Sequence, residues 1–291
     1  MKQHFFLKVL TVKGETYMTD AYLTRLHEFT IILYAISVLL YFFDFMHNNQ
    51  KANRAAFWLL SFVWLLQTSF LLIYMVDTKR FPVLTIMEGL YFYTWVLVSF
   101  SLLINKLLKI DFIVFFTNVL GFIIMAIHTF APMREGTEIA TQVISELLLI
   151  HITAALLAYG GFSLSFIFSL LYCVQFNLLK KKIWGKRLRR IPDLTKLENI
   201  AYLFNVFSVP LLLIALILGI QWASVQAPGF VWYDPKILGS FLVLFIYGCC
   251  LYARVTHKLV GKGIAYFNIA CFLILLINFF LAGNFSTFHY K

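Results

Sequence analysis

Residues 147–176 read LLLIHITAALLAYGGFSLSFIFSLLYCVQF, thirty consecutive positions with no Asp, Glu, Lys or Arg. As a helix the stretch would be about 45 Å long, against a hydrocarbon core of about 30 Å, so it predicts a span that projects past the bilayer. A lipid-facing strand is excluded by the lack of strict alternation and by the cost of unpaired backbone in hydrocarbon.

Seven further apolar runs with few or no charges lie at about 29–46, 55–76, 90–105, 112–131, 200–222, 237–253 and 264–283. The expected fold is therefore an all-α integral membrane protein, a polytopic bundle of eight transmembrane helices in one domain over 29–291. The composition agrees: of 291 residues 62% are hydrophobic and 13% charged, which excludes a soluble globule and leaves no room for a soluble catalytic domain. No enzymatic turnover is expected. Residues 1–28 form a basic N-terminal arm whose apolar run is too short and interrupted for a secretory signal. Because Met18 offers a second start, the first seventeen residues read as an upstream-start extension or a flexible arm.

Charge sets the direction. The loops after spans 1, 3, 5 and 7 hold fifteen of the 24 Lys and Arg residues, eight of them in KKKIWGKRLRRIPDLTK at 180–196. The other loops hold Lys79, Arg80, Arg134 and Lys236, with Glu135, Glu138 and Glu146 on one of them. The positive-inside rule puts the first set, including the basic loop 177–199, in the cytoplasm and both termini outside. The net charge of +11 is then a topology signal beside anionic lipid, and no nucleic acid is called for. Cys173, Cys249, Cys250 and Cys271 lie inside apolar runs without CxxC or CxxCH spacing, so no disulfide framework or covalent haem attachment is expected.

On this topology His27, His128, His151 and His289 share the outer side, His47 and His257 the inner, and His4 the N-terminal arm. An imidazole in or near hydrocarbon is costly without a partner, which makes an intramembrane histidine a functional candidate. Haem is one natural partner, since neutral imidazole ligates its iron and the macrocycle suits an apolar groove with its propionates toward basic side chains. A histidine hydrogen-bonded to a neighbouring helix is the better account of any single one, and it loses only where two histidines converge. Zinc is a weaker rival because no HExxH or His/Cys cluster occurs. After His151, the small residues Ala154, Ala155, Ala158, Gly160 and Gly161 allow a helix or a flat ligand to approach closely. The loop 222–237, WASVQAPGFVWYDPKI, carries Trp222, Phe230, Trp232 and Tyr233 with Asp234 and Lys236. It reads either as an interfacial aromatic belt or as a hydrophobic shelf with one acid and one base.

These segments resemble the cytochrome c assembly, or haem-handling, family that includes CcsA, CcmC and CcmF. GFVWYDPKILGS (229–240) is similar to its Trp-rich WWD segment, LLLIHITAALLAYGGFSLS (147–165) and NFFLAGNFSTFHY (278–290) to its two outer histidine helices, and RFPVLTIMEGLYFYTW (80–95) to its FPLSNLYES stretch. Within the family, residues 27–60 and 116–132 resemble the branch associated with bacterial haem-biosynthesis genes. The resemblance implies that His151 and His289 are axial ligands of one non-covalent b-type haem. It also implies that Phe230, Trp232, Tyr233 and Asp234 form the shelf.

On that reading His128 is a reserve ligand or supporting partner, and Lys236, Arg80 and Arg134 are candidates for the propionates. A link to the level of glutamyl-tRNA reductase follows from the same branch, with 180–196 as the surface open to a cytoplasmic haem-biosynthesis enzyme. Small-residue stripes would also permit a homo-oligomer. The chain departs from the family at Phe230, Val231, Tyr233 and Ile237, and at Tyr252, where synthetase members carry a membrane histidine. These departures weigh against thioether synthesis. Haem export or delivery to cytochrome c maturation remains an alternative and would need an inner site, for which His47 and His257 are candidates. A cofactor-free scaffold is the third reading.

Overall fold

The structure is a computed structural model that describes residues 2–108, 111–130, 146–182, 192–226 and 233–285. Among the described residues eight helices follow one another: α1 Lys2–His47, α2 Gln50–Thr78, α3 Ile86–Leu108, α4 Asp111–Phe130, α5 Glu146–Lys180, α6 Leu194–Gln226, α7 Pro235–Val255 and α8 Lys262–Phe285. Each is long and apolar enough to cross a membrane. The segment expected as an N-terminal arm is helical and continuous with the first span.

Local chemistry sets several boundaries. Asn49 caps α2 by accepting from the backbone N–H groups of Lys51 and Ala52, and Lys79 ends the helix in the left-handed region at φ 53°. Thr85 and Glu88 form a capping box at the start of α3. The Glu88 N–H donates to Thr85 Oγ1 at 3.1 Å, and Glu88 Oε2 accepts from the N–H groups of Leu84 and Thr85. Asp234 caps α7 ahead of Pro235, whose missing N–H costs nothing at that position.

The helices pack as two groups of four, α1–α4 and α5–α8, with α5 seated against α3 and α4 as well as α6 and α8. The first group is filled by Tyr34, Tyr41, Leu60, Val63, Val96 and Met125. In the second, Phe162 stacks on Tyr247 with ring centroids 3.8 Å apart, and Phe166 on Phe272 at 4.4 Å. Because α5 is surrounded, every residue from Gly160 to Ser165 is buried. A Cβ on Gly160 would come within 2.9 Å of Val96 Cγ1, so the small residues of α5 are used for close helix packing. Large side chains such as Trp58 and Phe245, both 69% exposed, point away from the bundle, where a bilayer would cover them.

Several polar groups inside the bundle are paired across helices. Asn118 on α4 accepts from the Tyr34 hydroxyl at 3.2 Å and donates to Ser101 Oγ at 2.6 Å. Asn205 on α6 donates to Asn268 Oδ1 on α8, and Asn268 Nδ2 donates to Ser165 and Ser169 on α5, each at 2.8 Å. With no water in the hydrocarbon to compete, such ladders fix helix register.

Candidate functional site

Successive helices run in opposite directions, so the starts of α5 and α7 and the ends of α4 and α6 share one end of the bundle. His151, five residues inside the start of α5, points at α6. Its Nδ1 lies 2.5 Å from the Ala215 carbonyl oxygen. A carbonyl can only accept, so Nδ1 carries the proton and Nε2 keeps its lone pair.

One turn along α6 is Gly219, where a Cβ would meet Cε1 of this ring at 2.5 Å and Nδ1 at 2.6 Å. The absent side chain is the slot into which the imidazole fits. An imidazole with one nitrogen pinned by a backbone carbonyl and the other left basic is oriented for a metal.

Lys236, in the first turn of α7, lies within electrostatic reach of His151 and Asp234, and its Nζ is 6.0 Å from the centroid of the Phe279 ring. Thus α5, α6 and α7 contribute to the surroundings of His151, and α8 meets Lys236 through Phe279. Tyr233 is 76% exposed. Asp234, expected as the acid of an open shelf, is buried, and its Oδ1 accepts from the Lys236 N–H at 2.8 Å. That carboxylate holds the start of α7. Phe230, Trp232, Arg134 and His289 lie outside the described residues.

Arg80, expected to be free for a propionate, is engaged. It donates to Glu88 Oε1 at 2.7 Å and Oε2 at 3.0 Å, and to the Tyr74 hydroxyl at 2.9 Å, while that hydroxyl donates to Glu88 at 2.6 Å. Its hydrogen bonds to the carboxylate hold the guanidinium further above its ordinary range, so it stays charged. This cluster ties the end of α2 to the capping box of α3.

The sequence placed His128 beside the His151 site, but its ring neighbours are His27, with centroids 4.9 Å apart, and Tyr91 at 5.5 Å. The His27 Nε2–H donates to Thr129 Oγ1 at 2.9 Å, because the Thr129 hydroxyl spends its proton on Met125 O. The Nδ1 atoms of both rings are buried with no hydrogen-bond partner among the described residues. Sequence reasoning put these histidines on one side of the membrane without pairing them. The only hint was that each ends a span on the same face. At the opposite end His47 is exposed and stacks on Phe43 at 4.5 Å, and His257 is exposed in a left-handed turn after α7. Among the described residues no three metal-ligating side chains cluster.

An all-helical, eight-span bundle with an oriented imidazole beside a lysine at one end defines a class of polytopic membrane protein. Residues 83–289 match the family model described as Cytochrome C assembly protein, and the chain belongs to that family. Within it the chain is of HemX type. It is 56% identical to Protein HemX of Bacillus subtilis (strain 168) over 274 residues, 94% of this chain and 99% of the relative. Protein HemX of Brevibacillus brevis is 44% identical over 264 residues, 91% of this chain and 97% of that one. The cytochrome c biogenesis protein CcsA of Mesostigma viride is 26% identical over 225 residues, covering 69% and 73%. The chain is a multi-pass protein of a bacterial membrane.

Proposed function

We propose that this protein binds one b-type haem non-covalently at its extracytoplasmic end and that His151 is an axial ligand. The observation carrying this is the 2.5 Å contact between His151 Nδ1 and the Ala215 carbonyl oxygen. The Ala215 carbonyl takes up Nδ1 and leaves Nε2 as the free lone pair, while Gly219 leaves the space the ring occupies. The donor set fits haem, with imidazole for the iron and the Lys236 ammonium for a propionate. Bound haem would supply an iron centre whose ligation is visible in the absorption spectrum. Phe230, Trp232 and Tyr233 are proposed to cover a porphyrin face, and His289 to be the second ligand. Arg80 is withdrawn from the propionate role because Glu88 and Tyr74 occupy it.

The HemX and cytochrome c biogenesis names of the relatives support a haem-related role. We assign it to regulation of haem biosynthesis, acting on the level of glutamyl-tRNA reductase through the basic loop 180–196, with no turnover of substrate. The test is the spectrum of the detergent-purified protein with haem added. A Soret band is expected in the parent protein. His151→Gly should lose the low-spin form and regain it with added imidazole. Retention of the parent spectrum in His151→Gly together with its loss in His128→Ala would move the haem to the α1–α4 group and overturn the assignment.

A further inference from the structure

The proposed haem site leaves a pair of imidazoles unused in the other group of helices. His27 lies at the start of the first span and His128 at the end of α4, and their ring centroids are 4.9 Å apart. The His27 Nε2–H is spent on Thr129 Oγ1, so its Nδ1 holds a lone pair. That atom is buried without a hydrogen-bond partner among the described residues, and so is His128 Nδ1. With its one proton on Nε2, a neutral His128 ring offers a second stranded lone pair. One cation between the rings would satisfy both.

The spacing suits a bare ion. Metal–imidazole bonds are about 2.0–2.1 Å long, so two rings held on one ion at about 100–110° have centroids about 5 Å apart. Rings on opposite faces of a haem would need about 6 Å with similar bonds. An angle well short of linear leaves room for a third donor. Met125 lies one turn before His128 on the same face of α4, and its Sδ takes only a weak 3.7 Å contact from Gln67 Nε2. An unbranched thioether with three rotatable bonds can swing to the pair. The Phe70 and Tyr91 rings, with centroids 6.0 and 5.7 Å from that of His27, add aromatic neighbours for a cation.

We propose that His27 Nδ1, His128 Nδ1 and Met125 Sδ form a site for a soft monovalent metal ion, Cu(I). Charge selects the ion as much as softness does. All three donors are neutral, and among the described residues no third His, Cys, Asp or Glu joins the pair. Glu28, beside His27, is exposed and paired with Arg25 at 2.9 Å. A divalent ion would bring its whole charge to the rim of the hydrocarbon, where the desolvation cost grows as the square of the charge and is about four times that of a monovalent one. Thioether and imidazole together favour Cu(I) over harder ions. Both rings are half-buried, so the ion enters from the end of the bundle that His151 shares. The site is separate from His151 and stands whether or not haem binds there.

The test is anaerobic titration of the full-length protein in lipid nanodiscs with Cu(I), kept reduced by ascorbate, against the chromophoric chelator bicinchoninate. The parent protein is expected to withhold one equivalent, which equimolar Zn(II) leaves in place. X-ray absorption of the loaded parent should show two imidazole nitrogens and one sulfur around the copper. His27→Phe and His128→Phe should each lose the equivalent, and Met125→Leu should remove the sulfur while keeping both nitrogens. No Cu(I) held against the chelator, its displacement by Zn(II), or its retention by both histidine variants overturns the proposal. So does a shell of sulfurs alone, which would place the ion at the free cysteines Cys250 and Cys271. The absorption measurement needs no variant, so it decides even if a substituted protein fails to fold.

Discussion

Gly219→Ala probes the packing of His151 with a single methyl group. The new Cβ would lie 2.5 Å from Cε1 of the ring, where carbon contacts settle at about 3.5–4.0 Å, so the imidazole must retreat by about 1 Å. That stretches the 2.5 Å hydrogen bond to Ala215 to the limit of hydrogen bonding. The lost bond costs about 0.5–1.5 kcal/mol and the overpacking about 1–3 kcal/mol. Against these stands a helix-propensity gain of roughly 0.5–1 kcal/mol for replacing glycine. The expected net loss is about 1–3 kcal/mol. Gly248→Ala is the matched control, since a Cβ there meets nothing within 4 Å and only the propensity gain applies. Unfolding midpoints of the two variants in the same detergent give the comparison. If Gly219→Ala unfolds with Gly248→Ala, His151 is not held in that slot and the argument for its fixed tautomer fails.

Glu88→Ala should cost about 2–4 kcal/mol, below the full value for a buried ion pair because the Arg80 side chain is 23% exposed. Thr85→Ala should cost only about 1 kcal/mol as a lost cap, and equal effects of the two in a denaturation series would show that the ion pair adds nothing. A double-mutant cycle between Tyr34→Phe and Asn118→Ala should give a coupling of about 0.6 kcal/mol and no more than about 1.7 kcal/mol; zero coupling would refute the inferred bond. In a cysteine-free background, Tyr233→Cys should react with an impermeant maleimide in intact cells while Lys182→Cys reacts only after permeabilisation. The reverse pattern would invert the topology.

Much of the bundle was legible because burial in lipid writes itself into composition. Eight apolar runs with few or no charges became eight helices, and 147–176 became the surrounded α5. Boundaries were less legible. The α6 helix begins at Leu194, six residues before the expected start, because Lys196, Glu198 and Asn199 continue it at the polar end of the bundle. The start of α3 at Ile86 follows from the Thr85–Glu88 box, a signal present in the sequence and passed over because hydropathy alone set the span.

His151 could be singled out from sequence because an imidazole in a long apolar run demands a partner. Its actual partners, Ala215 O and the missing side chain of Gly219, are a carbonyl and a glycine on another helix and leave no mark in a linear reading. For the same reason Arg80 was offered as a free cation, since only folding brings Tyr74 and Glu88 around it. Asp234 was read as shelf chemistry when its place before Pro235 also marks a helix cap.

Haem content and ligation of the detergent-purified protein test the central claim most directly. The account predicts haem bound by the parent in a low-spin form that His151→Gly loses and imidazole restores. No Soret band after haem addition, or a spectrum unchanged by the substitution, would contradict it.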